Sequence, residues 1–332
     1  MARFLDIIIP EYNTKQDLLV RALNSVNRQK NVDFKEIGII IVSDGSKIKY
    51  KKSWFKQRFP KLNIDYYPKE INEGPGLTRQ YGIDRSEAKF ITFLDSDDEL
   101  FENVNFSTII NSLKNDDIKI LWTDFVEENM YNGKVYVKGH RPQEFHTLHG
   151  LFVNRQFLID NDIRFSDKIM YQEDTYFADI LIYGYPGKYL NLFSYLWKYN
   201  DTSLVRKDIK IVNWYVKIIE DFIKAGRLIY EKLEKIDCPI RHEQIVCCLY
   251  GAYIILRDGN FEEERRNKNP EEVIKLFVEI REKSYLLFNY DERKKLFDVQ
   301  LKTLSKNFPA NLNGVFFEDF LKEYNCDLYN TI

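Results

Sequence analysis

The sequence predicts an α/β domain with a doubly wound, mainly parallel, Rossmann-like sheet, followed by an all-helical C-terminal appendage. Three observations carry this reading. Short apolar runs alternate with helix-period segments through the first hundred residues. Those runs are apolar at consecutive positions, as strands covered on both faces must be. Beyond Arg206 helical periodicity stands alone, so the expected domains are 1–206 and 207–332.

The elements follow in order. Leu5 to Ile9 is a first strand that Pro10 should stop. Thr14 with Asp17 three residues on reads as a capping box. It opens a helix over Lys15 to Arg28, where Leu18, Ala22, Leu23 and Val26 recur at helical spacing. Ile37 to Val42 is a continuous apolar strand ending in the turn Ser43-Asp44-Gly45-Ser46. Lys49 to Phe59 is a helix, and Ile64 to Tyr67 a short strand. Gly74-Pro75 starts a helix to about Ser86, with Pro75 in the first turn, where its missing N–H costs little. Phe90 to Leu94 is the next buried strand. Asn105 to Leu113 is a helix, and Ile118 to Val126 a strand. Asn132-Gly133 turns a hairpin into Val135 to Val137. Short helices over Arg155 to Asn161 and Glu173 to Tyr183 precede a last strand, Leu192 to Trp197. The stripe Ile211, Trp214, Tyr215, Ile218, Ile219, Phe222 and Ile223 begins the helical part. Helical patterns recur at Gln244 to Leu256, Pro270 to Arg281 and Asp291 to Leu304, with one more over Val315 to Tyr324.

The 332 residues suffice for a large domain and a smaller one, and 44% hydrophobic residues exclude global disorder. A formal net charge of -2 gives no global electrostatic reason to bind nucleic acid. Cys238, Cys247, Cys248 and Cys326 form no CxxC pair and no zinc-like array, so a reduced, cytoplasmic setting is expected. No signal peptide and no bilayer-length apolar stretch is read in the sequence.

Chemistry concentrates where strands end. Phe90-Ile91-Thr92-Phe93-Leu94 runs into Asp95-Ser96-Asp97-Asp98. Carboxylates this close repel one another and call for a cation. An extended backbone would turn Asp95 and Asp97 to one side. Hard oxygen ligands suit Mn²⁺ or Mg²⁺, which suit a diphosphate. Taken alone, the triplet is a weak signal and reads better as a solvated turn capping the next helix. Glu11-Tyr12-Asn13 and Asp44-Gly45-Ser46 also sit at carboxyl ends of strands, where α/β sheets bind ligands.

Five segments, in order, resemble a family 2 glycosyltransferase of the GT-A fold. They are Ile7-Ile8-Ile9-Pro10-Glu11-Tyr12-Asn13, Ile41-Val42-Ser43-Asp44-Gly45-Ser46, Asn72-Glu73-Gly74-Pro75-Gly76-Leu77-Thr78-Arg79-Gln80, Phe93-Leu94-Asp95-Ser96-Asp97-Asp98 and Glu173-Asp174-Thr175-Tyr176-Phe177. In the third, Gln80 stands where the family usually has Asn. The resemblance covers roughly residues 4–205, and the helical tail has no match.

The resemblance implies donor binding by Pro10, Glu11, Tyr12, Asp44, Asn72, Gly74, Arg79, Asp95, Ser96, Lys198 and Arg206. Within that set Asp44 would accept the uracil N3–H, and Arg79 would face the diphosphate or the base. Lys198 or Arg206 would meet phosphate. Asp95 and Asp97 would hold Mn²⁺ or Mg²⁺, with Asp98 orienting the loop. Asp174 would be the catalytic base, with His149 and Glu173 on the acceptor side. Without the resemblance, Asp44 reads as a turn residue, Arg79 as a solvated helix residue and Asp174 as charge complementing a helix N-terminus.

The implied activity is metal-dependent, inverting transfer of a hexosyl or N-acetylhexosaminyl group from a UDP-sugar or other nucleotide sugar to an acceptor hydroxyl. Glycan, polyol-phosphate, lipid-linked and protein acceptors all fit. So do roles in cell-wall, teichoic acid or polysaccharide synthesis. Nucleic acid is not expected as a partner. Peripheral association at the inner membrane face and oligomerisation are both allowed. A nucleotidyltransferase would need a Gly-rich basic loop where Glu11-Tyr12-Asn13-Thr14 stands, and a non-catalytic sugar-nucleotide scaffold would lack either the acidic triplet or the base.

Overall fold

Ile7, Ile8 and Ile9 are fully buried because β1 (Leu5–Glu11) is flanked by parallel neighbours on both sides. The computed structural model describes residues 3–101, 106–115, 117–141 and 146–200, and scattered positions from 221 to 238. The chain divides into two compact units, Met1–Lys207 and Asp208–Ile332.

In the first unit β1 leads into α1 (Gln16–Asn27), which lays Leu19, Ala22, Leu23 and Val26 on the core. Burying each large side chain of this kind contributes about 1.5–3 kcal/mol. A single 3-10 turn, Phe34–Glu36, precedes β2 (Ile37–Ser43), buried along its whole length. Next come α2 (Lys52–Arg58), β3 (Asn63–Pro68), α3 (Pro75–Arg85), β4 (Phe90–Phe93) and a two-residue β5 (Glu99–Leu100). After α4 (Phe106–Asn115) the long β6 (Ile120–Tyr131) turns at Asn132-Gly133 into β7 (Lys134–His140). The unit continues with β8 (Leu151–Asn154), α5 (Arg155–Asp160), α6 (Glu173–Gly184) and β9 (Lys188–Trp197).

Among the described residues nine strands form one sheet, ordered β3-β2-β1-β4-β8-β6-β9-β5, with β7 on β6. The β3-β2-β1-β4 half is parallel, as the alternation of strand and helix predicts. Beyond β4 the sheet is mixed. β8 runs antiparallel between β4 and β6, while β6 and β9 run parallel across a register shift at Asp124.

Three local expectations change. β1 does not stop at Pro10 but runs on to Glu11. Its pairing with β4 ends at Ile8, so Pro10 lies where one edge is free and a missing N–H breaks no ladder bond. No capping box forms at α1: Lys15 is the N-cap, without a side-chain cap, and the Thr14 hydroxyl lies 2.7 Å from Ser96 Oγ instead. Residues 95–98 are not extended either. Asp98 N–H donates to the Asp95 carbonyl at 3.0 Å, closing a turn, so Asp95 and Asp97 do not project to one side as strand neighbours would.

In the second unit the described residues include helical positions 224–226, 228–229 and 231–235, with Ala225, Ile229 and Leu233 buried. Arg206, the expected stripe from Ile211 to Ile223 (apart from Asp221) and the helices expected after Gln244 lie outside the described residues. No helix among the described residues is long and apolar enough to cross a membrane.

Candidate active site

The loops after β1, β2 and β4 are tied together from below. Glu11 is buried, and its two oxygens are both satisfied: Oε1 accepts the Thr14 N–H and Oε2 accepts the Ser46 hydroxyl, each at 2.9 Å. Ser46 Oγ also accepts the Asn13 N–H at 2.9 Å. Buried polar groups avoid a desolvation penalty only when paired in this way. The Thr14–Ser96 contact joins the same loop to the acidic turn. Pro10 pairs with Val42 in the sheet, whereas Tyr12 and Asn72 are exposed.

Asp44 is buried at the end of β2 and organises the start of α3. Its Oδ1 accepts Lys69 Nζ at 2.7 Å and the Glu73 N–H at 3.0 Å, and its Oδ2 accepts the Gly74 N–H at 2.9 Å. Gly45 makes this approach possible. It sits at φ +71, and a Cβ there would lie 2.7 Å from the Asn72 nitrogen.

Arg79 is the hub. It projects from α3, is buried, and donates to Asp95 Oδ1 at 2.7 Å and to Glu173 Oε1 at 2.8 Å. Burial disfavours its charge, but Asp95 and Glu173 more than offset this and raise its pKa. Asp95 is penalised by burial as well, yet the Arg79 and His149 charges hold its carboxyl below the usual range. Gly76, one turn before Arg79, lets Glu173 come close: a Cβ there would lie 2.9 Å from Glu173 Cγ.

The acidic turn is held by a residue that the sequence did not single out. The Tyr195 hydroxyl accepts the Asp95 N–H at 3.2 Å and donates to Asp98 Oδ2 at 2.6 Å. Asp98 Oδ1 accepts the Lys198 N–H at 2.8 Å. Burial and the charges of Asp97 and Asp95 drive the Asp98 pKa well up. Asp97 turns to Asn200, whose amide donates to it at 2.7 Å. The Lys198 ammonium rests on Glu128 at 2.6 Å. The only sequence signal for Tyr195 was its place in an apolar strand, which says nothing about where its hydroxyl ends.

His149 stacks on Tyr195, ring centroids 4.2 Å apart, in a loop shaped by Gly150. Gly150 has φ +74, and a Cβ there would meet the Thr123 carbonyl oxygen at 2.3 Å. His149 Nδ1 is buried and has no hydrogen-bond partner among the described residues. Burial lowers the imidazole pKa to about 4, against the pull of Asp95.

Glu173 and Asp174 open α6, beyond an N-cap Gln172 at φ 63. Burial and the Asp174 charge raise Glu173 to about 7, against Arg79. Burial also raises Asp174, with Arg79 opposing it. Arg79, Asp95, His149, Asp174 and Tyr195 line one small cavity together with Phe93. Asp95, Asp98 and His149 offer ligand atoms within 4.8 Å of one another. Two carboxylates and an imidazole with an unpartnered buried nitrogen are a donor set that suits Mn²⁺. Asp97 is not part of that cluster.

A mixed sheet with an acidic turn, an arginine and a second acidic pair gathered beyond its strand ends defines a GT-A-type glycosyltransferase domain. The chain belongs to Glycosyl transferase family 2, whose sequence model matches residues 6–171. It is 34% identical over 97 residues to the GalNAc(5)-diNAcBac-PP-undecaprenol beta-1,3-glucosyltransferase of Campylobacter jejuni, a stretch covering 29% of this chain and 30% of that protein. It is 33% identical over 107 residues to the minor teichoic acid biosynthesis protein GgaB of Bacillus subtilis, covering 32% of this chain and 11% of that one. Among solved structures, S. aureus TarS 1-349 in complex with UDP-GlcNAc superposes with a TM-score of 0.64 at 19% identity, over 90% of this chain and 88% of that one. That likeness is one of fold.

Proposed function

We propose that the protein transfers a sugar from a UDP-sugar to an acceptor hydroxyl, with inversion and with Mn²⁺ or Mg²⁺ bound. The observation that carries this is a cavity whose lining includes Asp174, Asp95 and Arg79, with Arg79 bonded to Asp95 and to Glu173, the neighbour of Asp174.

Asp95, Asp98 and His149 would hold the cation, which would stabilise negative charge on the leaving diphosphate. The chain's own residues do the rest. Arg79 fixes Asp95 and Glu173, so the donor and acceptor sides of the cavity keep their spacing. Asp174, its pKa raised by burial, accepts the acceptor's proton as that oxygen attacks the anomeric carbon from the face opposite the diphosphate. Asp44, with Gly74 and Lys69, forms the end of the base subsite.

The relatives lend support to a narrower reading of the substrates. Crystal structures of S. aureus TarS 1-349 hold UDP and UDP-GlcNAc. The C. jejuni relative is named for an undecaprenol-linked glycan and GgaB for minor teichoic acid. A UDP-hexose or UDP-N-acetylhexosamine donor and a lipid-linked or polyol-phosphate acceptor fit this company best. The test is a panel of nucleotide sugars with Mn²⁺, reading released UDP and product anomer. Metal-dependent turnover of a UDP-sugar is expected. Turnover of none, or a product of retained configuration, would overturn the reading.

A further inference from the structure

Seven of the fifteen residues from Lys47 to Lys61 are Lys or Arg, and none is Asp or Glu, in a chain of formal net charge -2. All seven basic side chains are exposed. The segment is ordered by the residues between them. Phe55 and Phe59 are buried, and Tyr50, Trp54 and Tyr66 pack around Phe55. With α2 pinned on that side, Lys52 and Lys56 face water. Lys49 is bound by Glu70 at 2.8 Å, and Arg58 lies over the Trp54 ring at 4.5 Å. Lys51, Lys52, Lys56 and Lys61 have no carboxylate partner among the described residues.

Two large apolar side chains stand beside the charge. Ile48 is 59% exposed and Ile71 69% exposed. They belong to the loops that leave β2 and β3, and the Lys49–Glu70 pair brings those loops together. Both loops lie at the carboxyl ends of parallel strands, the edge of the sheet that also carries Asp44 and Asp95.

We propose that the basic strip from Lys47 to Lys61, with Ile48 and Ile71 beside it, seats the protein on an anionic lipid surface. Unpaired lysines supply attraction to acidic headgroups, and each exposed isoleucine supplies apolar area for the headgroup boundary. A soluble polyanion would use the lysines but leave the isoleucines in water, so the pairing of the two favours a bilayer. The docked orientation turns the carboxyl ends of β2 and β3, and the mouth of the donor site, toward the lipid. Seating of this kind requires no step of sugar transfer.

The experiment is co-sedimentation of the full chain with phosphatidylcholine vesicles, with and without about 30% phosphatidylglycerol. Binding is expected only with the anionic lipid, and about 0.5 M NaCl should release it. K51E/K52E/K56E should reduce binding about tenfold or more, and I48S/I71S should weaken it without removing its salt dependence. Unchanged melting temperatures would show that the variants fold. Equal binding to neutral vesicles, or full binding by the triple variant, would overturn the proposal. So would capture of soluble polyphosphate by a protein that ignores both vesicles.

Discussion

Arg79 and Glu173 are separated by 94 residues and meet at 2.8 Å, where both side chains are almost wholly withdrawn from water. A second bond from the same guanidinium reaches Asp95. The spacing between the acidic turn and the start of α6 is thus set by one side chain.

Removing that side chain should cost more than removing the group as a whole. R79M leaves Asp95 and Glu173 facing each other unpaired, and about 3–5 kcal/mol of stability should be lost. R79M/E173M should be less destabilised than the sum of the single changes. Chemical unfolding of the four proteins measures this, and simple additivity would disprove the coupling.

The acid at 173 also gives a pH signature. Its folded pKa of about 7 lies above the ordinary 4.5. Between those values the native state keeps a proton that the unfolded state releases. This contribution is full below pH 4.5 and is lost as pH rises through 7. E173Q should therefore flatten the fall in melting temperature over that range, measured without metal. An unaltered slope would place the raised group elsewhere.

Asp174 is expected to act on the reaction and not on the donor. D174N should bind UDP as the parent does while transfer falls by about 10²-fold or more. Isothermal titration and steady-state rates separate the two. Near-normal transfer would shift the role of base to Glu173 or His149.

The cation donors can be ranked. D98N and H149Q should each weaken Mn²⁺ binding, read by the paramagnetic signal of free Mn²⁺, more than D97N does, because Asp97 turns to Asn200. The opposite ranking would restore Asp97 as the principal ligand.

Gly76 offers a steric test. G76A would put a methyl 2.9 Å from Glu173 Cγ and 3.0 Å from its Cβ. The start of α6 must then shift, and a shift on the order of 1 Å can cost about 10²-fold in rate. Normal activity in G76A would mean that the position of Glu173 is not critical.

Much of the parallel half was legible in the sequence because β1, β2 and β4 are apolar at consecutive positions and α1 repeats at helical spacing. β5 and β8 were not, being two and four residues long, and β5 begins with a glutamate. Ordered motifs named Arg79, Asp95, Glu173 and Asp174 as a group, but not their bonds. Arg79 read as facing a ligand because its partners lie far away in sequence. Tyr195 escaped notice because strand periodicity reports a face and not the end point of a hydroxyl. The extended reading of Asp95-Ser96-Asp97 failed because one backbone hydrogen bond closes a turn there.

The Arg79 bridge also bears on synthesis at the ribosome. The strands β1 to β4 can assemble as soon as they emerge, since their pairings with one another lie within the first 93 residues. The guanidinium they enclose then lacks one of its two counter-charges until residue 173 has been made. A nascent chain shorter than that carries a half-neutralised cation inside its best-formed region, and stalled or prematurely ended chains should be early targets for proteolysis.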